Sequence, residues 1–396
     1  MRGRRPLTPR GLAAVIIGVV CAIAANVLSA PILLYLAVLF FSLVVAAVLA
    51  IRAPRRDGAV ARRISTDLLA IGEESAVAVR FDLRPARLPH GIWHDRLPPA
   101  VSGDTSGELP TDNGTSIRYS VTGVRRGVWP IGPLSLRTVD PFGLAQRVQD
   151  FGDTRTVTVV PEVVPLPAMG MTTGSGGGNA RTSVSRLGPG SDNLSPRQYL
   201  PGDSMRRIHW RATAHRGELM VRQEEEESSP DAVVILDRAA ARWSTPSEKP
   251  DAAFEAAVSA CASIALHLAQ EGYSVDVLDT GGTSLGCLRG HDDDRDGLLV
   301  ALAMVSPRGE GRDVVSLLDE NPPGVLVLIT GALEEADARA LRSGGASCPI
   351  LLTTDASPEA VLGAQMHGWS AAFLGDDVAE AWTSAVPAHL TMGGAR

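Results

Sequence analysis

The sequence predicts a multidomain protein: an N-terminal transmembrane helical hairpin, an all-β sandwich and a C-terminal doubly wound α/β domain. Three observations support this fold class. Residues 11–51 carry no charged side chain, residues 62–167 contain short alternating strand patterns, and the chain after residue 231 alternates between strand-like and helix-like segments. With 396 residues, of which 45% are hydrophobic, the chain is long enough to bury more than one core.

The uncharged segment predicts a membrane anchor, which occupies residues 1–58. It is too long for one membrane helix of about 20 residues, and polar residues and Pro31 interrupt it near its middle. We therefore expect two transmembrane helices, at about 11–27 and 32–51, joined by a short turn. A cleaved signal peptide is the alternative, since arginines precede the apolar run, but the second span argues against cleavage.

Arginine residues flank both outer ends of the hairpin, and none lies in the turn between the helices. Those before the first span are Arg2, Arg4, Arg5 and Arg10, and those after the second are Arg52, Arg55, Arg56, Arg62 and Arg63. Because positive charge is retained on the cytoplasmic side, both termini and the soluble domains are expected in the cytoplasm. The four cysteines have no metal-ligand spacing and are expected to be buried or free thiols.

Residues 59–168 are predicted to form the β-sandwich. Strands are expected at about 75–83, 116–121, 132–139 and 155–160, with Gly and Pro in the gaps. Several short alternating strands need a second layer to bury one face. Residues 169–190 follow as a flexible Gly/Ser-rich linker; a phosphate-binding loop is the alternative, but the Lys-Ser/Thr pair that such a loop needs is missing.

The C-terminal α/β domain is predicted over residues 231–390. Its strands are expected at about 232–237, 274–278, 324–330, 347–353 and 370–374. Its helices are expected at about 251–271, 295–305, 333–342, 358–366 and 378–385. Strands and helices that alternate at these lengths predict a mostly parallel sheet with helices on both faces.

The most informative stretch is the core motif, residues 191–230, and within it residues 199–227. A Pro-Gly turn precedes Asp203, a good N-cap for a helix that would begin at Ser204. Gly217 is placed to stop that helix before a short strand. The residues expected to have structural roles in the motif are Tyr199, Pro201, Gly202, Asp203, Ile208 and Gly217.

The pattern Y-x-P-G-D-x-x-R-x-I-x-W, followed by A-x-x-G-x-L, resembles the core motif of the domain of unknown function 58 family. Residues 126–134 and the D-P-F-G-L run at 140–144 resemble the same family's upstream region. The resemblance implies a von Willebrand factor A-like fold for the α/β domain and a location in the bacterial plasma membrane. It also implies a non-enzymatic adaptor, in a family often encoded beside MoxR-type AAA+ ATPases, that couples such an ATPase to cell-envelope work or complex maturation.

A von Willebrand factor A-like domain normally binds a divalent cation through D-x-S-x-S after its first strand. Here the stretch is D-R-A-A-A, so Asp237 stands without the hydroxyls that Ala239 and Ala241 replace. Thr330, on a later loop, lacks the acidic residue that often follows it. We therefore expect a degenerate site with no metal and no cofactor, which argues against a metal-dependent adhesion module. A second acidic patch, residues 292–297, lacks the last calcium ligand and is expected to begin a helix.

A membrane-anchored hydrolase is the other alternative, because residues 282–286 match G-x-S-x-G. A nucleophile elbow requires a strand, a turn and a helix, but a strand-like segment follows this serine. A hairpin turn is the favoured interpretation, and no catalytic residue is predicted.

The candidate partner-binding residues lie in the core motif: Arg206, Arg207, Trp210, Arg211 and His215. We interpret the arginines as a docking surface for an acidic protein, with pairing to the Glu224–Glu227 run as the alternative. Trp210 is interpreted as a core anchor, with an exposed partner contact as the alternative. Two histidines six residues apart, His209 and His215, would point in different directions from a helix and could not readily share a metal. The net charge of −7 and the scarcity of aromatics argue against nucleic acid, and no small-molecule ligand is evident.

Overall fold

A computed structural model describes residues 6–52, 59–66, 68–82, 91–109, 116–169, 194–199, 205, 208, 210–224, 230–243, 251–309 and 323–386. The described chain contains an N-terminal helical hairpin, a β domain, the small core-motif module and an α/β domain. The multidomain organisation expected from the sequence is thus present in the described residues.

The hairpin consists of α1 (Pro9–Val27) and α2 (Pro31–Arg52). Thr8 caps α1, because its hydroxyl accepts a hydrogen bond from the Gly11 amide at 3.1 Å. Both helices are long and apolar enough to cross a membrane, with mean hydropathies of 2.0 and 2.9, and most of their side chains are exposed to the surroundings. The prediction of two N-terminal apolar helices is confirmed, and their length and composition suit a membrane anchor.

Eleven strands form the β domain. Their bounds are β1 (Ala59–Ile64), β2 (Leu68–Ala70), β3 (Glu74–Asp82), β4 (Gly91–Asp95), β5 (Val101–Ser102), β6 (Ser106–Glu108), β7 (Ser116–Gly123), β8 (Gly127–Ile131), β9 (Leu134–Val139), β10 (Gln146–Phe151) and β11 (Arg155–Val160). They pair as three sheets, in the orders β1-β3-β7-β5, β10-β9-β4-β6 and β2-β11-β8. Every described element between residues 59 and 160 is a strand, as the sequence predicts, and β2 pairs with β11 in parallel.

Alternate residues of these strands fill one core. In β7, Ile117, Tyr119 and Val121 point inward between exposed neighbours. They pack with apolar residues of all three sheets, among them Val77, Trp93, Leu136 and Val157. Sequence periodicity alone explains this burial, because a strand with one buried face must alternate.

A buried ion pair lies inside that core. Asp95 is fully buried, and Arg62 donates to its two carboxylate oxygens at 2.8 Å each. The Tyr119 hydroxyl donates to the same carboxylate at 2.5 Å, and burial together with this carboxylate raises the pKa of Tyr119. Arg62 had been counted with the positive charges that flank the membrane, but its side chain is only 8% exposed and belongs to the β-domain core.

The α/β domain contains six strands and five α-helices among the described residues. The strands are β14 (Asp231–Leu236), β15 (Ser274–Asp279), β16 (Ser284–Leu288), β17 (Val325–Leu333), β18 (Cys348–Ala356) and β19 (Ser370–Phe373). The helices are α4 (Ala252–Gln270), α5 (Asp292–Ala303), α6 (Glu335–Ala340), α7 (Pro358–Met366) and α8 (Val378–Ala385). They agree with the predicted elements, with shifts of a few residues at the ends.

The six strands form one sheet in the order β16-β15-β14-β17-β18-β19. All neighbours are parallel except β16, which returns antiparallel beside β15. Within β14, Val234 and Leu236 face a core with α4, α5 and α8, whereas Ile235 faces a second core with α6 and α7. Helices therefore cover both faces, as a doubly wound sheet requires.

Helix α4 is long and apolar enough to be a third candidate membrane span, but most of it is buried inside the protein. It lies against the central strands, with Phe254 and Ile264 fully or almost fully buried. The length and composition of this helix are those of a buried core helix.

The β domain is attached to the α/β domain along α4. Beyond β11, the Val164 amide donates to Ser263 at 2.9 Å, and the Met169 amide donates to Glu271 at 2.7 Å. Met169 was predicted to begin the flexible linker, yet it is 5% exposed and belongs to the α/β core. The rest of that predicted linker lies outside the described residues.

Arg126 makes a second connection between the two domains. It forms an ion pair with Glu255, and its guanidinium donates to the Val305 carbonyl at 2.5 Å and lies 5.2 Å from the Phe254 ring centre. Burial lowers the pKa of Arg126, and the Glu255 carboxylate counteracts that effect.

Candidate functional site

The core motif folds as a small module of two strands and one helix. Strands β12 (Leu194–Gln198) and β13 (Met220–Glu224) are antiparallel, and α3 (Trp210–Arg216) lies between them in sequence. The side-chain amide of Gln198 donates to Glu218 at 2.9 Å, and the half-buried Tyr199 donates its backbone amide to the Leu219 carbonyl at 2.8 Å. These contacts hold the two ends of the motif together, which supports the structural role expected for Tyr199.

The helix of the motif is shorter than predicted. It begins at Trp210 and not at Ser204, because Ile208 is extended and forms a β-bridge with Val221. Gly217 ends it as expected: it has a φ of 74° and donates its amide to the Thr213 carbonyl at 2.9 Å. The predicted turn and cap at Pro201, Gly202 and Asp203 lie outside the described residues.

Trp210 is exposed, and the prediction that it anchors the core is wrong. Its side chain retains 69% of its accessible surface, whereas Ile208 is 4% exposed and Met220 is 2% exposed. The buried side of the module therefore comes from the bridge residue and from β13. Trp210 stands at the first position of a short helix, six residues after the predicted helix start at Ser204.

Two more large apolar side chains of the module are exposed: Met205 at 69% and Leu219 at 42%. Arg211 and His215 lie one helical turn apart on α3, and both are exposed. The module thus presents apolar and basic side chains together on its surface. Arg206, Arg207 and His209 lie outside the described residues, as do the side chains of the acidic run at 224–227.

A second candidate site lies at the carboxyl end of β14, between β14 and β17. In doubly wound sheets this point, where the strand order reverses, is the usual ligand site. Asp237 follows β14 here and is 7% exposed. Its carboxylate accepts hydrogen bonds from the hydroxyls of Thr280 at 2.9 Å and Thr330 at 2.8 Å, and from the Ala239 amide at 2.9 Å.

Two arginines lie near Asp237: Arg238 follows it in the sequence, and Arg242 approaches its carboxylate. Arg238 donates to Asp279 at 2.8 Å and to the Ser306 carbonyl at 3.0 Å, and burial lowers the pKa of its guanidinium. Arg242 bonds to Asp337 and lies 3.9 Å from the Asp237 carboxylate. The bond to Asp337 raises the pKa of Arg242, and the same bond lowers the pKa of Asp337. The Arg242 guanidinium thus lies beside the Asp237 carboxylate, where it would repel a metal cation, whereas the Arg238 guanidinium is bonded to Asp279.

The model of the family described as protein of unknown function DUF58 matches residues 195–357, which include the module and most of the α/β domain. These residues are similar to the DUF58 family. The resemblance noted from the core motif is therefore confirmed.

No curated protein matches the chain. Solved structures match only weakly. A conjugative transposon lipoprotein from Bacteroides eggerthii is 11% identical, with 24% of this chain and 97% of that chain covered and a TM-score of 0.16. Cwp6 from Clostridium difficile is 10% identical, with 82% of this chain and 39% of that chain covered and a TM-score of 0.17. The bacterial hydrophobin BslA is 10% identical, with 24% and 100% covered and a TM-score of 0.15. No conclusion follows from scores this low.

At the switch point, hydrogen bonds connect Asp237 to Thr280, which follows β15, and to Thr330 of β17. Among the described residues, no three His, Cys, Asp or Glu side chains lie close enough to hold a metal ion together. Two threonine hydroxyls and one backbone amide donate to the Asp237 carboxylate, and the Arg242 guanidinium lies 3.9 Å from it. Of these groups, sequence reasoning considered only Asp237 and Thr330; Thr280 and Arg242 come from separate loops, and no local pattern identifies them.

We expect divalent cations to leave the stability of this domain unchanged. A cation would have to displace two threonine hydroxyls from Asp237 and approach Arg242. Titration of chelated protein with Mg²⁺ or Ca²⁺ should therefore not move its melting temperature. A saturable rise would contradict this, because a ligand at about a hundred times its dissociation constant adds about 2.7 kcal/mol of stability.

The remaining sequence candidates are structural. Strands β15 and β16 form an antiparallel hairpin across residues 280–283, and Ser284 begins β16, so the G-x-S-x-G match is a hairpin turn as predicted. The acidic patch begins α5, where Asp294 accepts from the backbone amides of Arg289 and His291. These amide donors lower the pKa of Asp294.

Proposed function

We propose that this DUF58 protein is a non-enzymatic, membrane-anchored adaptor that couples a MoxR-type AAA+ ATPase to a cell-envelope or complex-maturation process. The observation that carries the proposal is the exposed surface of the core-motif module. Trp210, Met205 and Leu219 are large apolar side chains that remain exposed, and the basic side chains of Arg211 and His215 on α3 are exposed as well. Hereafter these five residues are the module surface.

The composition of the module surface supports protein binding. Tryptophan and arginine are the residue types most enriched among those that dominate binding free energy at protein interfaces. A tryptophan that is 69% exposed contributes little to the folding of its own module, so stability alone does not explain its presence. The choice of a MoxR-type ATPase as the partner is supported by the core-motif resemblance.

The α/β domain is proposed to be a von Willebrand factor A-like scaffold. Its strand order, with one antiparallel edge strand and helices on both faces, supports this assignment. At the switch point, Asp237 accepts hydrogen bonds from threonine hydroxyls and lies 3.9 Å from Arg242, which disfavours a metal-dependent adhesion module. Ser284 stands on a strand instead of a nucleophile elbow, which disfavours a hydrolase of that class.

We further propose that the hairpin spans the plasma membrane twice and that both termini and the soluble domains face the cytoplasm. The support is arginine on both outer flanks and none in the turn. A reporter that is active only outside the membrane, fused after Arg396, should remain inactive, and a reporter active only in the cytoplasm should function there. The reverse pair of results would overturn this topology.

Affinity purification of the full chain from native membranes tests the adaptor proposal. The chain should retain a MoxR-type ATPase after mild solubilisation, and mass spectrometry identifies the bound proteins. A chain with Trp210→Ala and Arg211→Ala should lose the ATPase while it remains folded and in the membrane. Equal recovery of the ATPase with both chains would remove the module surface from the proposal, and recovery with neither would contradict the proposed partner.

A further inference from the structure

We infer that the β domain rests directly on the lipid surface, where the loop at residues 140–145, between β9 and β10, places Phe142 among the lipid headgroups. This loop is hereafter the 140–145 loop. The inference rests on the membrane anchor and is independent of any protein partner. The proposed binding partner of the loop is lipid, because the loop lies at the start of the membrane helix α1.

The 140–145 loop is bonded to the first turn of the membrane hairpin. The Thr8 amide donates to the Leu144 carbonyl at 3.0 Å, and the Thr8 hydroxyl donates to the Gly143 carbonyl at 2.5 Å. Gly11 lies so close to the loop that an added Cβ would overlap the Leu144 carbonyl oxygen. Leu144 and Ala145 are buried against apolar residues of both hairpin helices: Ala14, Val44, Ala47 and Ile51.

The length of α1 sets the depth of this contact. The helix has 19 residues, which at about 1.5 Å per residue gives about 28 Å, close to the thickness of the hydrocarbon core. Thr8 precedes its first residue and must lie near the membrane–water boundary when α1 spans the bilayer. The 140–145 loop, which is bonded to Thr8, lies at the same level.

Phe142 is a large apolar side chain of that loop that remains exposed, beside the exposed Pro141. It is 61% exposed, whereas Leu144 is 8% exposed. Asp140 fixes the loop, because its carboxylate accepts from the Phe142 amide at 2.9 Å and from the Ala145 amide at 2.6 Å. A phenylalanine fixed at the membrane boundary gains stability if its ring enters the apolar edge of the bilayer.

Basic side chains beside the loop suit anionic headgroups. Arg10 is exposed and lies next to Gly143, and Arg147 donates to the Ile51 carbonyl at the end of α2, at 3.2 Å. Guanidinium groups near the membrane surface attract anionic lipid. Apolar and basic groups thus meet at one level of the bilayer, and the lipid surface fits both.

A tryptophan at position 142 tests the inference. The full-length Phe142→Trp chain is placed in vesicles of phosphatidylcholine and phosphatidylglycerol, with or without bromine on the acyl chains. Val124→Trp is the matched control, because Val124 is 54% exposed at a different turn, next to the residues that contact the α/β domain. Emission of the unmodified chain is subtracted in each case.

The added emission at position 142 should be blue-shifted and largely lost in brominated vesicles, while that at position 124 should change little. Equal quenching at the two positions would overturn the inference. So would crosslinking of position 142 to a protein in cells together with no quenching in pure lipid, because the ring would then cover a protein. If Phe142→Trp fails to fold, a bimane label on Phe142→Cys in a chain with Cys21→Ser, Cys287→Ser and Cys348→Ser gives the same readout, because Cys261 is buried.

Discussion

Replacing Arg62 by alanine is expected to destabilise the β domain by about 3–5 kcal/mol, the usual cost of leaving one member of a buried ion pair without its partner. Asp95 is fully buried, and Arg62 supplies three hydrogen bonds to it. Without the guanidinium, the carboxylate retains the Tyr119 hydroxyl. One neutral donor does not replace a bidentate cation at a site closed to water.

Amide hydrogen exchange of β3 and β7 in the full chain measures this effect. Exchange that occurs by unfolding of the β domain should accelerate by roughly 10²–10⁴-fold, since each 1.4 kcal/mol corresponds to a factor of ten. Arg63→Ala is the matched control, because Arg63 is the exposed neighbour of Arg62 and should change exchange little. Similar exchange in the two variants would show that the buried pair does not stabilise the domain.

Trp210→Ala is expected to leave folding nearly unchanged and to weaken partner binding by about 2–4 kcal/mol, the range typical of a dominant interface residue. The folding part follows from the 69% exposure of Trp210. The binding part depends on the proposed function. Melting temperature and recovery of the ATPase from membranes separate the two parts.

Met366→Ala is the control for exposure alone. Met366 is 87% exposed on α7 of the α/β domain, and its replacement should change neither folding nor recovery of the ATPase. If the chains with Trp210→Ala and with Met366→Ala retain equal amounts of the ATPase, Trp210 is not a binding residue. A large drop in melting temperature for Trp210→Ala would show that the residue is a packing residue after all.

Much of the fold follows from sequence patterns because the patterns reflect burial. The apolar run of 11–51 predicts the hairpin, and the strands β14, β15, β17, β18 and β19 lie within a few residues of their predicted positions. Buried parallel strands are uniform apolar segments, which makes them easy to locate. Short strands such as β5 and β6 have two and three residues, too few to show a period.

The candidate sites were less predictable because their groups come together through tertiary contacts. Asp237 can be identified from its position after a predicted strand. Thr280, which donates a hydrogen bond to its carboxylate, and Arg242, which lies 3.9 Å from it, are on different loops. Arg62 has the sequence context of a membrane-flanking charge, and only the fold brings it to Asp95. The face of Trp210 depended on where α3 begins, and helix ends are the least certain feature of a sequence pattern.

Direct binding between two purified proteins tests the adaptor account most directly. The full chain in lipid nanodiscs is titrated with a MoxR-type ATPase encoded in the same genome, with ATP present. Binding is followed by biolayer interferometry. The account predicts saturable binding that Trp210→Ala weakens by roughly 30-fold or more, the equivalent of about 2 kcal/mol, and that Met366→Ala leaves unchanged. Absence of saturable binding by the folded, membrane-inserted chain, with and without ATP, would contradict the account.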